Sequence, residues 1–263
     1  MEQKGKDSST KMIIGLSLGI LILTALILGL FGYYKTIRVE YSPTEYEEKL
    51  IEYFKEIALE TEYFDNSHKT VKWKKKMILF IFKDHEDERI MKVIQNTVQE
   101  INDLATDGFK IELDTDPSKC NSILYLHKRE RIAKIAPDFY KIFSENTMGE
   151  KTGGFAYSHY QEDSYKIVRS DIFVDVEEPI EILESLIVEE LTHSIGLYND
   201  SKKHSNSVFY ENKGQHSIFS KEYSQMDADI VRLLYHPKMR PGLNSDQVEN
   251  VIKRILKSEA KKK

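Results

Sequence analysis

The chain has a single cysteine, Cys120, in 263 residues. No disulfide can close within it and no cluster of thiolates can hold a structural zinc, so packing alone must keep it folded. Nothing in the surrounding SKCNSI argues for an activated nucleophile, and the thiol reads as a half-buried strand-edge side chain. An excess of positive charge is also missing. Lys and Arg number 38 against 43 Asp and Glu, a net charge of -5, which gives no support to nucleic-acid binding. The basic C-terminal tail is too short to reverse that balance. Long uncharged apolar runs are absent apart from one, at residues 12–34.

That run is long enough, at about 1.5 Å per residue, to cross a hydrocarbon core of about 30 Å. Tyr33 and Tyr34 stand where interfacial aromatics are expected. A transmembrane helix is therefore expected over residues 12–34, with the membrane as a partner. A cleaved signal peptide is the alternative, but residues 28–34 offer no clear small-x-small pattern, and no cysteine follows to make a lipoprotein signal. Lys4, Lys6 and Lys11 precede the run and Glu40, Glu45, Glu47 and Glu48 come soon after it. The expected arrangement is a cytoplasmic tail at residues 1–11 and one pass through the cell membrane. The large domain is then extracytoplasmic.

Residues 35–70 read as a juxtamembrane helical segment. Ser42 is the expected N-cap, Pro43 the first-turn residue and Glu45 the capping-box acid, followed by the stripe Tyr46, Leu50, Phe54, Ile57 and Ala58. Such a helix is either a stalk or docked, because one apolar stripe must be covered. The main domain is expected over residues 71–243 as an α+β fold with a mixed sheet. Strands are expected at 71–82, 109–113, 122–127, from Gly153-Gly154 through GFAYSHY, and at 167–176. An amphipathic helix is expected at 88–105, a weak pattern interrupted by Pro137 at 128–152, and a helix at 224–235 ended by His236-Pro237. Residues 244–263 add a last amphipathic helix and a basic tail.

The stretch IEILESLIVEELTHSIGLYND, residues 180–200, is the most informative. Ile182, Leu183, Leu186, Ile187, Val188 and Leu191 recur at helical spacing over most of the circumference, so this helix should be packed on several sides. Glu189, Glu190 and His193 are costly there unless paired, hydrogen-bonded or bound to metal. Glu189 and His193, four residues apart, lie one above the other, with Glu190 turned about 100° away. This is the geometry of HExxH, in which two ligands one turn apart hold Zn²⁺ and a Glu between them acts as general base. Here Glu189 replaces the first His, and carboxylate is an acceptable zinc ligand. A polar network with no metal would satisfy the same three side chains.

Gly196 continues the pattern of HExxHxxGxxH. Through EELTHSIGLYND at residues 189–200 and FSKEYSQMDADIVRLLYHPKMRPGL at 219–243, the chain resembles the metzincin metallopeptidases. It is most similar to a metzincin-like bacterial family of uncharacterised function. The resemblance implies a zincin-like domain with a central active-site helix, a zinc ion, and a hydrolase in which Glu190 activates water. It also implies a third ligand at Asn199, where Asp200 one residue later could substitute. His204, His216 and His159 are remoter candidates. The resemblance further implies a methionine turn at Met226, with Asp227 either capping the following helix or accepting from His193. Tyr157, Tyr160 and Tyr165 are candidates to line the strand edge along which zincins lay extended substrate. Two functions are compatible with this pattern: a membrane-anchored zinc peptidase, or an inactive pseudopeptidase that binds a peptide or envelope partner.

Overall fold

The computed structural model describes residues 19–20, 22–27, 39–61, 68–84, 87–146, 152–210 and 220–261. Of the expected membrane span, residues 19–20 and 22–27 are described and are helical; the rest of it lies outside the described residues. Among the described residues no helix is long and apolar enough to cross a membrane. The chain divides into two compact units, Met1–Ser42 and Pro43–Lys263.

The second unit opens with α1, Glu45–Leu59. Its N-cap is Thr44, whose hydroxyl accepts from Glu47 N–H while the Glu47 carboxylate accepts from Thr44 N–H at 2.7 Å. The cap therefore falls two residues beyond the expected Ser42, because Thr44 and Glu47 spell a second capping box that places three acids, Glu45, Glu47 and Glu48, in the first turn. The stripe is docked. Leu50, Tyr53, Phe54 and Ile57 are almost fully buried, and α1 packs on α6, Gln225–Leu234, and α7, Ser245–Ala260.

The expected strand at 71–82 is two strands, β1 at Lys72–Trp73 and β2 at Met77–Lys83, parted by exposed Lys74 and Lys75. After them come α2 (Glu88–Leu104), β3 (Ile111–Leu113) and β4 (Ser122–His127). The weakly patterned stretch folds into α3, Arg129–Ile135, and α4, Pro137–Asn146. Pro137 opens α4, where a helix has no use for its missing N–H. Then come β5, Gly154–Gln161, β6, Lys166–Asp175, and α5, Ile180–His193.

The sheet runs β3-β2-β4-β6 with all neighbours parallel, β1 pairing in parallel with the start of β6 and β5 pairing antiparallel with β6. The architecture is thus mixed α/β with a mostly parallel sheet, consistent with the α+β expectation. Alternation along β6 sends its residues to two faces. Phe173, with Tyr125 and Phe155, faces the aromatic core formed with Phe139 and Phe143 of α4. Ser170 faces the other way, its hydroxyl donating to Ser194 O at 3.1 Å just past α5.

The turn after α5 is pinned from several directions. Trp73 Nε1–H donates to Ser194 O at 3.0 Å and Tyr235 O–H to Ile195 O at 2.8 Å. Gly196 has φ +109, and a Cβ there would overlap the Val71 carbonyl oxygen, so a close approach and a left-handed backbone both require glycine. Lys72 is buried behind this turn. Its ammonium pairs with Asp107 at 2.9 Å, donates to Met239 O at 3.2 Å and to Leu234 O, and lies over the Tyr235 ring.

Candidate metal centre

α5 packs against β5, β6 and α2, as its all-round apolar pattern requires. Its buried charge at Glu184 is answered by Arg89 and by Lys221 at 2.6 Å, and the Arg89 contact leads in holding the carboxyl down to about 2. The helix ends at His193, which is buried. Its Nδ1 meets the Leu197 carbonyl, and its Nε2 faces Asp200 Oδ1 at 3.3 Å. Ligand-type atoms of Glu189, His193 and Asp200 all lie within 4.8 Å of one another.

Burial works against a charged His193 ring. The contact with Asp200, its charge, and those of Glu190 and Glu189 outweigh that and push the pKa up to about 10. Asp200 Oδ1 is itself buried, and no donor among the described residues makes a hydrogen bond of good geometry to it. A buried carboxylate oxygen needs a cation, and either the protonated His193 ring at 3.3 Å or a metal ion in place of its proton would supply one. One imidazole and two carboxylates are accepted zinc donors, and a metal-ligating His commonly gives its other nitrogen to a backbone carbonyl, as His193 does to Leu197. The residues present therefore fit a divalent ion.

Glu190 is buried on the adjoining side of α5. Its carboxylate lies against Gly154 at the start of β5, where an added Cβ would stand 2.5 Å from Oε1 and 2.7 Å from Cγ. Glycine at 154 is thus what lets the antiparallel strand come up beside this acid. The pair Gly153-Gly154 is the signal in the sequence, and strand patterning reads it only as a strand start.

Asn199, the third position of the motif, does not turn its amide inward: Nδ2–H donates to Asp200 O at 2.9 Å. Asp200 takes the place next to His193. Asp227 is wholly buried and accepts from Ser224 N–H and O–H, Ser207 O–H and Val208 N–H; the N-cap of α6 is Ser224, and Asp227 is the acid that completes its capping box while tying down the 207–208 turn. His193 takes its second-nitrogen partner from Leu197 instead. Met226 is the second residue of α6 and half-buried. The side chain that packs beside the imidazole is Phe209, ring centroids 5.1 Å apart and planes tilted by 57°, a neighbour that spacing along α5 does not reveal.

The remoter histidines lie elsewhere. His159 faces Asp171 at 3.4 Å, His204 stands edge-on to Tyr53 at 4.6 Å, and His216 falls outside the described residues. Tyr157 pairs with Asp171 and packs on the aromatic core under α4, away from α5, while Tyr160 stacks on Tyr165. Strand alternation puts Gly154 and Tyr157 on opposite faces of β5, so Tyr157 stands on the face away from Glu190.

A family described as "Protein of unknown function (DUF2927)" matches residues 47–254. The chain belongs to the DUF2927 family. The match begins inside α1 and ends inside α7, so the DUF2927 domain takes in both flanking helices as well as the sheet and the acid–histidine centre. No curated protein matches the chain.

Proposed function

We propose that this DUF2927 domain is a zinc-dependent peptidase of metzincin type, anchored to a membrane through residues 12–34 with the domain extracytoplasmic. The observation that carries the reading is the convergence of Glu189, His193 and Asp200 on one point, with Asp200 Oδ1 buried there and facing His193 Nε2 without a hydrogen bond of good geometry. Zn²⁺ bound by these three would supply the Lewis acid that polarises a peptide carbonyl and acidifies water. Glu190 is the general base: it is buried beside His193, turned to the β5 side, and takes the proton from the attacking water. Gly154 keeps that carboxylate uncrowded, and the Leu197 carbonyl holds the His193 ring in the orientation that presents Nε2.

One observation favours a second reading. His193 and Asp200 at 3.3 Å, with the ring's pKa at about 10, also make a closed imidazolium–carboxylate pair. A domain built that way is a pseudopeptidase that binds a peptide or envelope partner and turns nothing over. Metal content of the full-length, detergent-purified protein separates the two. About one zinc per chain, lost in His193→Ala and kept in Glu190→Gln with peptide hydrolysis abolished, supports the peptidase. A metal-free protein unchanged in stability by added zinc supports the binding module.

A further inference from the structure

We propose that α1, which carries none of the motif residues, positions the third metal ligand by clamping the loop that bears Asp200. The inference rests on the metal-centre reading. The last carbonyls of a helix have no donor within it and must find one elsewhere. The Ile57 carbonyl, in the last turn of α1, accepts from both Tyr198 N–H at 3.0 Å and Asn199 N–H at 3.2 Å. Those are the two residues immediately before Asp200. With Leu197 engaged by His193, three consecutive residues leading to the carboxylate are each tied down.

The return arm of the loop hangs on the same helix. Tyr53 O–H and Ser207 Oγ are 2.6 Å apart, Lys203 reaches Glu56 at 2.7 Å, and His204 packs edge-on to Tyr53 at 4.6 Å. Tyr53, Glu56 and Ile57 are spaced i, i+3 and i+4, so a single face of α1 makes every one of these ties. Between the two arms, Ser201 N–H donates to Phe209 O at 2.8 Å, and Phe209 carries its ring to His193. The helix thus holds the loop at both ends, with Asp200 between the clamps and Phe209 two residues beyond the second. Affinity for metal accordingly depends on a helix whose first residue lies 144 positions before the first ligand, from Glu45 to Glu189.

Ala58→Pro in the full-length protein tests this. Proline pushes the residue before it out of the helical region, turning the Ile57 carbonyl away from the loop, whereas Ala58→Gly leaves that residue free to stay helical. Zinc affinity by chelator competition and hydrogen exchange at the Tyr198 and Asn199 amides are the two measurements. Both amides should exchange slowly in the parent and in Ala58→Gly. In Ala58→Pro they should exchange faster and zinc binding should weaken roughly tenfold, as losing one or two hydrogen bonds implies. Free exchange of both amides in the parent overturns the inference, as does undiminished zinc affinity in a folded Ala58→Pro. If Ala58→Pro does not fold, Tyr53→Phe releases the other arm, and unchanged affinity there counts against the clamp. A parent protein that takes up no zinc overturns the metal-centre reading, whereas zinc in the parent at an affinity indifferent to α1 overturns this inference alone.

Discussion

His193 Nε2 and Asp200 Oδ1 face each other across 3.3 Å, the first at the end of α5 and the second beyond the glycine turn that reverses the chain. The pair puts the third candidate donor one residue later than the motif spacing does. Asn199 spends its amide on the Asp200 carbonyl instead.

That displacement can be tested by removing each side chain in turn. Asp200→Ala should cost zinc affinity by a factor of roughly 100 or more, since it removes a ligand, while Asn199→Ala should change it by less than about tenfold, the effect of one peripheral hydrogen bond. Titration against a competing chelator reads both. Equal losses in the two variants would return the third position to Asn199.

Gly154→Ala adds one methyl group in the space taken by the Glu190 carboxylate, at 2.5 Å from Oε1. The acid or the strand must move. We expect a loss of about 1–3 kcal/mol in urea unfolding, typical of overpacking, and peptide hydrolysis reduced more than zinc content. Retained activity with a normal unfolding midpoint would mean Glu190 can leave its place without consequence.

Asp227→Ala removes a buried carboxylate that accepts from Ser224, Ser207 and Val208, leaving several buried donors unanswered. A cost of about 3 kcal/mol or more is expected from orphaning that many groups. Equilibrium unfolding should show it at an unchanged denaturant slope. Ser224→Ala, which loses one cap, should cost only about 1 kcal/mol by the same measurement.

Lys72 sets an alkaline signature. Burial lowers its pKa from the ordinary 10.5 to about 8, against the opposing pull of Asp107. Between about pH 8 and 10 the unfolded chain therefore binds more protons at this site than the folded one, and stability should rise with pH by up to about 1 kcal/mol per unit. Above pH 10 the sign reverses, because burial raises the pKa values of Tyr53, Tyr198, Tyr223 and Tyr235 and the unfolded chain sheds those protons first. Urea melts across this range should show a maximum, and in Lys72→Met the rising limb should vanish while the falling one stays.

Much of the fold is legible because it is written in local repeats. The edges of β4, at Ser122 and His127, coincide with the expected strand, and α2, α6 and α7 fall where their apolar periods put them. The break at Lys74 and Lys75 and the helices α3 and α4 are less readable, since a bend inside an apolar-flanked strand and a short helix on either side of Pro137 carry weak periodicity. At the site, Glu190 and Gly154 meet across 36 residues of sequence, and no spacing rule connects a helix position to a strand on the other side of a hairpin.

From the chain of letters alone came the stacking of Glu189 over His193, because a helix brings residues four apart together wherever it lies, and the need for glycine at 196, because the helix has to stop and turn there. Only the tertiary structure decided that Asp200 and not Asn199 turns inward, that Phe209 lies against the imidazole, and that α1 is docked and grips the loop. Those outcomes depend on which backbone groups a loop finds to bond with, and its partners come from helices and strands far away along the chain.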